Sequence, residues 1–394
     1  MEKPLHIGWL IWGDDEGGVG TAVLNNAALL ASLGQTVSMW SFGPGAVAEA
    51  AARRGWTVHR LGADPDLHRR YASHGFSPRG LLRRAAVALR LRGVLRQGLR
   101  QHRQPDVLCA PWPDLMPLAG PVARALRLPL VLEMPATPSQ YRFDLNQRVY
   151  AWMVRRWRVR TLANSDYTAS RMRRVPDVWV VTPAVDAPRF DPARVSPIPR
   201  AALGVPPQAV LVGLVARLSP EKGADLAIEA LGLLSAEATA LHLLLVGGPR
   251  DSAYAKGLRE QARAAGVAER VHWVETVADP ERYWAACDLA LNARRDVEPF
   301  GLSLIEAMLM QRPAIAHALG QPAATVVDGR TGWLFHQPTA AALAEALRRA
   351  LVVRGQWPAM GQAAREDVLR RFASTTHATR YLALLREHVD RQAA

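Results

Sequence analysis

AVLVGLVARLSPEKGADLAIEAL, residues 209 to 231, changes from a short apolar run to a helical pattern at a turn that carries Arg217 and Lys222. The apolar run supplies hydrophobic side chains to both faces of a strand, which is typical of a strand buried inside a parallel sheet. The same alternation recurs along the whole chain. It predicts an α/β protein in which helices cover parallel sheets.

Eleven apolar runs are predicted to be strands, because each is short and is followed by a longer helical pattern. Six lie in the first half of the chain: LHIGWLIW, TVSMWSF, WTVHRL, DVLCA, PLVLEM and RTLANS. Five lie in the second half: AVLVGLVAR, LHLLLVGG, RVHWVE, DLALNA and PAIAHA.

The chain has 394 residues and is 49% apolar, which is sufficient for two domains with separate cores. A proline-rich stretch at 185–208 interrupts the alternation and is predicted to link them. We expect one doubly wound domain at 1–188 and another at 189–375, with a ligand cleft between the carboxyl ends of their strands. The last helical stretch, at about 376–394, could close either domain, including by packing back on the first.

The net charge of +14 is concentrated in the first half of the chain. Residues 1–190 carry 26 Arg and Lys against 14 Asp and Glu, whereas 191–394 carry 23 against 21. Two interpretations stay open: a compositional bias on solvated surfaces, or an anionic partner such as a membrane surface or an acidic acceptor. Nucleic acid is not the expected partner, because no aromatic-interleaved motif or zinc spacing accompanies the arginines.

The two cysteines, Cys109 and Cys287, lie far apart in apolar runs, which favours buried free thiols in a reducing compartment over a disulfide. No apolar run approaches the roughly 20 residues that cross a bilayer. The opening run is predicted to be a strand and not a signal peptide. The expected location is the cytoplasm, with peripheral attachment to the inner face of the membrane left open.

Glycines follow the first strand in GDDEGGVG, where Gly17, Gly18 and Gly20 precede a predicted helix. Glycine lets backbone amides approach a ligand closely, and a helix N-terminus favours negative charge. The spacing departs from the dinucleotide fingerprint, and the acidic residues before it disfavour a pyrophosphate, so a nicotinamide-dependent oxidoreductase is not expected. A simple tight turn remains an alternative to a ligand contact.

Arg217 and Lys222 follow the strand at 209–217 and stand five residues apart. Arginine offers a planar fork and lysine a point charge, so the pair is suited to hold a diphosphate. Isolated cations are more often simply solvated, but Lys222 is the one lysine of a long region. The sequence therefore favours a phosphate site at this turn.

EPFGLSLIEAM, residues 298 to 308, places two carboxylates around a glycine turn and a helix predicted at 301–310. The amides of Gly301 and Leu302 would lie at the helix N-terminus, where they can donate to phosphate oxygens. The carboxylate of Glu306 could accept from both hydroxyls of a ribose, and Glu298 could accept from sugar hydroxyls. The order fits one nucleotide-sugar lying across a helix start.

With these motifs the chain resembles the retaining glycosyltransferases of family 4, which have the GT-B fold. The second half matches through VGLVARLSPEKGADLAIEAL, LLLVGG, AACDLALNARRDVEPFGLSLIEAM and VVDGRTGWLF. The first half matches more loosely, through GWLIWGDDEGGVGTAVLNNAALLASLG, LANSDYTASRM and VTPAVDAPRFDP. The resemblance implies two Rossmann-like domains that transfer a hexose-type sugar from a nucleoside diphosphate to a hydroxyl of a glycan, a lipid-linked or a small-molecule acceptor.

The resemblance also implies roles for single residues. Arg217 and Lys222 would bind the donor diphosphate, Glu306 its ribose, and Glu298 the transferred sugar, with Glu298, Arg217 and Lys222 as the catalytic set. The remaining donor contacts would be the backbone amides at Phe300, Gly301 and Leu302, together with Gly17 and Gly18 of the first domain. No cofactor or metal is implied, because cations and a helix dipole stabilise the leaving diphosphate during front-face transfer with retention.

Several positions depart from the family pattern. Pro135 stands where a histidine usually contacts the donor sugar, and nearby Glu133 could replace that contact, accept from an acceptor hydroxyl, or be structural. Gln311 and Gln321 stand where glycines are common, and Ala324 where an acidic residue often follows. A nucleotide-sugar-binding protein with weak or no transferase activity is therefore the alternative function.

The basic segment at 79–103 has leucines and arginines at near-helical spacing, which predicts an amphipathic helix. Such a helix could cover the sheet, or it could lie on an anionic membrane surface.

Overall fold

A computed structural model describes residues 3–13, 18–62, 78–135, 145–372 and 374–393. The chain divides into two units. The first comprises Met1–Ala184 and Ser374–Ala394, and the second comprises Val185–Ala373. The C-terminal helix thus belongs to the first unit, although it follows the second in sequence.

The first unit is built on a parallel sheet of seven strands in the order β3-β2-β1-β4-β5-β6-β7. Its strands are β1 His6–Ile11, β2 Thr36–Ser41, β3 Thr57–Arg60, β4 Val107–Ala110, β5 Leu130–Met134, β6 Arg160–Ala163 and β7 Val178–Val180. The sequence predicted the first six. It missed β7, a three-residue edge strand whose sequence VWV is apolar but too short for periodicity to distinguish it from a loop or helix segment.

Helices cover both faces of this sheet. They are α1 Gly18–Ser32, α2 Ala46–Arg53, α3 Pro78–Gln101, α4 Met116–Leu126, α5 Leu145–Trp157, α6 Asp166–Arg171 and the C-terminal α14 Ser374–Ala393. On one face, α1, α2 and α14 bury Ile7 and Trp9 of β1 together with Tyr381. On the other face, α3, α4 and α5 bury Leu108 and Leu132. The predicted helix at 79–103 is α3, and its apolar side does cover the sheet.

The second unit is built on a parallel sheet of six strands in the order β10-β9-β8-β11-β12-β13. Its strands are β8 Val210–Val215, β9 Leu241–Val246, β10 Val271–Val274, β11 Leu289–Asn292, β12 Ala314–His317 and β13 Gly332–Phe335. The five predicted strands are all present, and β13 at the edge of the sheet was missed. Since β8 lies between β9 and β11, the loops that follow these three strands meet at one edge.

The helices of the second unit are α7 Ala224–Leu233, α8 Ala253–Ala264, α9 Pro280–Ala286, α10 Leu302–Leu309, α11 Pro322–Thr325, α12 Ala340–Val352 and α13 Trp357–Phe372. Two hydrophobic clusters, one on each face of the sheet, form the core. Both cysteines are buried and unpaired, as the sequence predicted. Among the described residues, no helix is both long and apolar enough to cross a membrane.

Candidate functional site

The turn after β8 is pressed against the loop after β11. Gly223 has φ +73°, and a Cβ at that position would lie 2.0 Å from the carbonyl oxygen of Ala293. The backbone amide of Arg295 also donates to the carbonyl of Glu221 at 2.9 Å. Only glycine permits this approach, which brings Lys222 beside the segment that leads to Glu298.

Lys222, Arg294 and Glu298 form an ion-pair network. Lys222 Nζ lies 3.4 Å from Glu298 Oε2, and Arg294 Nη1 lies 3.6 Å from the same oxygen. The side chains are 21%, 19% and 11% exposed, so they are shielded from bulk water but still reachable from solvent. Two cations therefore converge on one carboxylate at the carboxyl edge of the sheet.

Arg217 stands at the exposed rim of this network. Its Nη2 lies 3.6 Å from Glu221 Oε1, and its side chain is 66% exposed. Ser219 Oγ donates to the same carboxylate oxygen at 2.6 Å. Burial raises the pKa of Glu221, but the Ser219 and backbone hydrogen bonds and the Arg217 charge outweigh it and lower the pKa overall. Glu221 thus stays charged and holds Arg217 loosely, in a position from which it can reach an anion.

The turn at 298–301 leads into the N-terminus of α10. Gly301 has φ +85° and is the N-cap, and its carbonyl accepts from the amides of Leu304 and Ile305. The Phe300 side chain is buried and packs edge-on against Phe372 with ring centroids 5.6 Å apart. Phe300 therefore anchors the turn by its ring. Within the described part of the chain, the amides of Gly301 and Leu302 donate to no protein acceptor, and they remain available to a ligand.

Glu306 lies on α10, one turn further along. Its side chain is half-buried, and burial of the carboxyl group raises its pKa to about 8. The charge of Arg189 lowers this pKa, while those of Glu281 and Asp186 raise it. Among the described residues no group makes a hydrogen bond or ion pair with the Glu306 carboxyl. A half-buried acid with no hydrogen-bond partner among the described residues and a pKa near 8 is typical of a ligand-binding site.

Two of the departures from the family pattern have a structural context. Gln311 has φ +60°, a left-handed conformation that favours glycine, which explains why glycine is common at this position. Gln321 is buried, and its backbone N–H donates to the backbone carbonyl of Glu298 at 2.9 Å. Gly320 just before it has φ +99°, and a Cβ there would lie 2.2 Å from that same carbonyl oxygen. The backbone of Glu298 is therefore fixed from both sides.

The candidate residues of the first unit are Gly17, Gly18 and Glu133. Gly17 lies outside the described residues. Gly18 begins α1, and a Cβ built on it would meet open space. Glu133, near the end of β5, accepts from Trp9 Nε1 at 3.2 Å and from the hydroxyl of Tyr381 on α14. Burial raises its pKa, and the two hydrogen bonds only partly offset that increase. These contacts favour the structural interpretation of Glu133, as a link between the C-terminal helix and the sheet.

Sequence reasoning missed Arg294. It stands four residues before Glu298, and this spacing was the only available signal. The structure adds a second contact at the same place, since the carbonyl of Arg294 lies 2.8 Å from Nδ1 of the buried His317 at the end of β12. The backbone of Arg294 is thus fixed. Its guanidinium donates from Nε and Nη2 to the carboxylate of Asp296, while Nη1 lies 3.6 Å from Glu298 Oε2.

Two family models match this chain and together span most of it. The model described as glycosyl transferases group 1 matches residues 197–367, and the model described as Glycosyltransferase Family 4 matches residues 16–189. The chain belongs to the family 4 glycosyltransferases. The charged network and the start of α10 lie within the first of these matches.

Curated relatives of this glycosyltransferase match it over about half of their length. A D-inositol 3-phosphate glycosyltransferase of Streptomyces avermitilis is 35% identical over 178 residues, which are 43% of this chain and 38% of the relative. A GDP-mannose-dependent alpha-(1-6)-phosphatidylinositol monomannoside mannosyltransferase of Mycobacterium tuberculosis is 31% identical over 237 residues, or 56% of this chain and 60% of the relative.

Solved structures share the fold over almost the whole chain. A glycosyltransferase from Rickettsia africae has a TM-score of 0.81 at 17% identity and covers 98% of this chain and 99% of its own. Anabaena HepE in complex with UDP and glucose has a TM-score of 0.79 at 22% identity, with 97% and 99% covered. This glycosyltransferase therefore has the GT-B fold of two Rossmann-like domains, as its sequence predicted.

Proposed function

We propose that this protein transfers a hexose-type sugar from a nucleoside-diphosphate sugar to a hydroxyl acceptor, with retention of the anomeric configuration and without a metal ion. One observation carries the proposal. Lys222 and Arg294 converge on Glu298 beside the available amides of Gly301 and Leu302, so cations, helix dipole and a sugar-binding carboxylate lie in one place.

The donor diphosphate is assigned to Arg217 and Lys222. Arg217 is exposed and, among the described residues, is held only by Glu221 at 3.6 Å, so it can turn toward a phosphate at little cost. Lys222 is more enclosed, and a diphosphate would compete with Glu298 for its charge. As the sugar departs, negative charge grows on the diphosphate. The two cations and the N-terminus of α10 stabilise that charge, which is the work that a metal ion does in other transferases.

Glu306 is assigned to the ribose. A carboxylate can accept hydrogen bonds from both ribose hydroxyls, whereas a protonated carboxyl cannot do so with both oxygens equally. Because the pKa of Glu306 is about 8, donor binding at neutral pH would favour release of its proton. Donor affinity is therefore expected to increase as the pH rises through this range.

Glu298 is assigned to the transferred sugar, where its carboxylate accepts from sugar hydroxyls. In front-face transfer the leaving phosphate takes the proton of the acceptor hydroxyl. The bond from the anomeric carbon to the phosphate oxygen breaks as the bond to the acceptor oxygen forms on the same face. No protein side chain forms a covalent intermediate. The role of Glu298 is then to orient the sugar while Arg294 and Lys222 hold the carboxylate in place.

The acceptor is assigned to the first unit and the donor nucleotide to the second. The comparisons leave the nucleobase open, since HepE is described with UDP-glucose and the mycobacterial relative as GDP-mannose-dependent. The alternative function, nucleotide-sugar binding with weak or no transfer, is supported by Pro135 in place of a histidine and by the engagement of Glu133 with Trp9 and Tyr381.

Turnover of a donor panel separates these functions. Purified protein is incubated with UDP-, GDP-, ADP- and dTDP-sugars, and the release of free nucleoside diphosphate is measured for the wild type and for Glu306→Ala. A transferase releases diphosphate slowly from one donor, and the substitution abolishes that release. If one donor binds and shifts the melting temperature but no diphosphate is released with any acceptor tried, the binding function is correct and the transferase assignment is wrong.

A further inference from the structure

His317 is the last residue of β12, and its side chain is buried, with only 3% of the residue exposed. Strand β12 pairs with β13 in a register that sets His317 opposite Phe335. The two rings stack with centroids 5.3 Å apart and with an angle of 19° between their planes. Packing against Phe335 therefore fixes the orientation of the imidazole.

The imidazole holds the backbone of Arg294. Its Nδ1 lies 2.8 Å from the backbone carbonyl oxygen of Arg294. A carbonyl oxygen can only accept a hydrogen bond, so Nδ1 must carry the proton and donate it. The backbone N–H of Arg294 is bonded as well, since it donates to Oδ1 of Asn292 at 3.3 Å. Both polar groups of the Arg294 backbone thus have side-chain partners, one of which comes from a different strand.

The main chain of His317 supports the other member of the ion pair. The carbonyl of His317 accepts from the backbone N–H of Leu319 at 2.8 Å, which closes a tight turn after β12. The carbonyl of Leu319 in turn accepts from the backbone N–H of Glu298 at 3.1 Å. His317 therefore holds Arg294 through its ring and Glu298 through the turn that follows it.

The ion pair between these two residues depends on where the backbone of Arg294 is held. Arg294 Nη1 and Glu298 Oε2 are 3.6 Å apart, which suits an ion pair but exceeds hydrogen-bond distance. The same guanidinium donates to Asp296 from Nε and Nη2. A small displacement of the Arg294 backbone would let the guanidinium turn wholly to Asp296 and leave Glu298. The hydrogen bond from His317 opposes that displacement.

We propose that His317 is a positioning residue for sugar transfer. It acts through Arg294 and not on the reacting atoms. By holding the Arg294 carbonyl it keeps the guanidinium at the distance from which Glu298 is oriented toward the sugar. The role of Glu298 in this statement rests on the proposed function, whereas the support of Arg294 belongs to the second unit without a ligand. The Nδ1 donor, and not the ring as a filler of the core, is the group that matters.

Two substitutions separate the donor from the ring. In His317→Asn the side-chain amide nitrogen takes the position of Nδ1 and can still donate, but the stack on Phe335 is lost. In His317→Phe the stack remains possible, but the carbonyl of Arg294 loses this donor. A purely structural role would make turnover follow the melting temperature in both variants, whereas positioning makes turnover follow the donor.

Turnover is measured with the full chain as release of nucleoside diphosphate from the donor that the panel selects. His317→Phe should lower kcat/KM roughly tenfold, mainly through kcat, because a buried carbonyl is left unsatisfied and moves. His317→Asn should keep kcat/KM within about threefold of the wild type, even where its melting temperature is lower. Both variants should bind the free nucleoside diphosphate within about twofold of the wild type, since Arg217 and Lys222 are untouched.

His242→Phe is the matched control. His242 is another buried histidine of the second unit, and its Nδ1 lies 3.0 Å from Nε2 of His272. It stands near the start of β9, at the opposite edge of the sheet from Glu298. The substitution should lower the melting temperature and leave kcat/KM unchanged.

Hydrogen exchange without a donor tests the support by itself. The backbone amides of residues 294–298 should exchange severalfold faster in His317→Phe than in the wild type, His317→Asn and His242→Phe. If this increase is found but the wild type turns over no donor, the support of Arg294 is confirmed and the proposed function is what fails. Unchanged exchange in His317→Phe, or a kcat/KM that follows the melting temperature in both His317 variants, would overturn the proposal.

Discussion

Replacement of Arg294 by glutamine tests whether the ion-pair network positions Glu298. In the wild type Glu298 Oε2 is shared between Arg294 at 3.6 Å and Lys222 at 3.4 Å. Without Arg294 the carboxylate would turn fully to Lys222, which would then be less available to a diphosphate. Both the orientation of Glu298 and the charge at the phosphate site would change.

The magnitude follows from the geometry. At 3.6 Å and an effective dielectric constant near 20, the gross attraction of one charge pair is about 4 to 5 kcal/mol. Lys222 remains to compensate the carboxylate, and both side chains reach solvent, so we expect a net loss of about 1 to 3 kcal/mol. This corresponds to a decrease in kcat/KM of roughly 5- to 150-fold.

The assay is nucleoside diphosphate release as a function of donor concentration. Arg294→Lys should restore part of the activity, because it keeps the charge but not the fork. Arg295→Gln is the matched control, since its neighbouring guanidinium pairs with Asp225 and not with Glu298. If Arg294→Gln keeps kcat/KM within about twofold, or if Arg295→Gln lowers it equally, the positioning role is refuted.

Three further predictions concern other parts of the structure. The pKa of Glu306 is about 8 in the folded protein, which is above its value in the unfolded chain. Its contribution to the free energy of unfolding is therefore full below the unfolded pKa and is lost as the pH rises through about 8. Over this pH range the melting temperature of Glu306→Gln should decrease less than that of the wild type. Gln311→Gly should increase the free energy of unfolding by about 1 kcal/mol in denaturant titrations, because glycine relieves the left-handed φ of +60°, and donor turnover should not change. A decrease in the free energy of unfolding would show that the side-chain hydrogen bond from Gln311 to Gln362 outweighs the strain. Tyr381→Phe removes the hydroxyl that donates to Glu133 and should cost about 1 to 3 kcal/mol in stability without raising KM for the donor, whereas an increase in KM would place Glu133 in the sugar site.

The apolar runs predicted eleven of the thirteen strands found in the described residues, because buried parallel strands carry hydrophobic side chains on both faces. The strands β7 and β13 were missed, although their sequences VWV and GWLF are as apolar as the runs that were recognised. Apolar runs this short cannot be told from apolar residues of a loop or a helix by periodicity alone. The edge strands β3 and β10 were predicted, so the position of a strand in the sheet does not by itself decide whether the sequence reveals it.

The candidate site was predictable in part, from the loops that follow β8 and β11. These loops carry Lys222 and the start of α10 near Gly301, and parallel strands bring the loops that follow them to one edge. The convergence of Arg294 on Glu298 was not predictable in this way, because it depends on the backbone contacts of Gly223 and Gly320 with neighbouring loops. Those contacts join segments about 70 and 20 residues apart, and no local pattern encodes them.

The engagement of Glu133 by Tyr381 was equally hidden. The sequence showed a carboxylate at the end of a strand, where a ligand contact is a reasonable expectation. Tyr381 follows it by 248 residues, on a helix that the sequence could not assign to either unit. Long-range packing, and not the strand itself, determines what this carboxylate does.

Equilibrium binding of nucleoside diphosphates tests the central claim most directly. UDP, GDP, ADP and dTDP are titrated calorimetrically into the wild type, Lys222→Ala and, as a matched control for a lysine outside the network, Lys256→Ala. One diphosphate should bind the wild type and Lys256→Ala equally and should bind Lys222→Ala at least about tenfold more weakly, since a charge-assisted phosphate contact is lost. If no diphosphate binds, or if both lysine variants bind it as the wild type does, the charged network after β8 and β11 is not a nucleotide-sugar site.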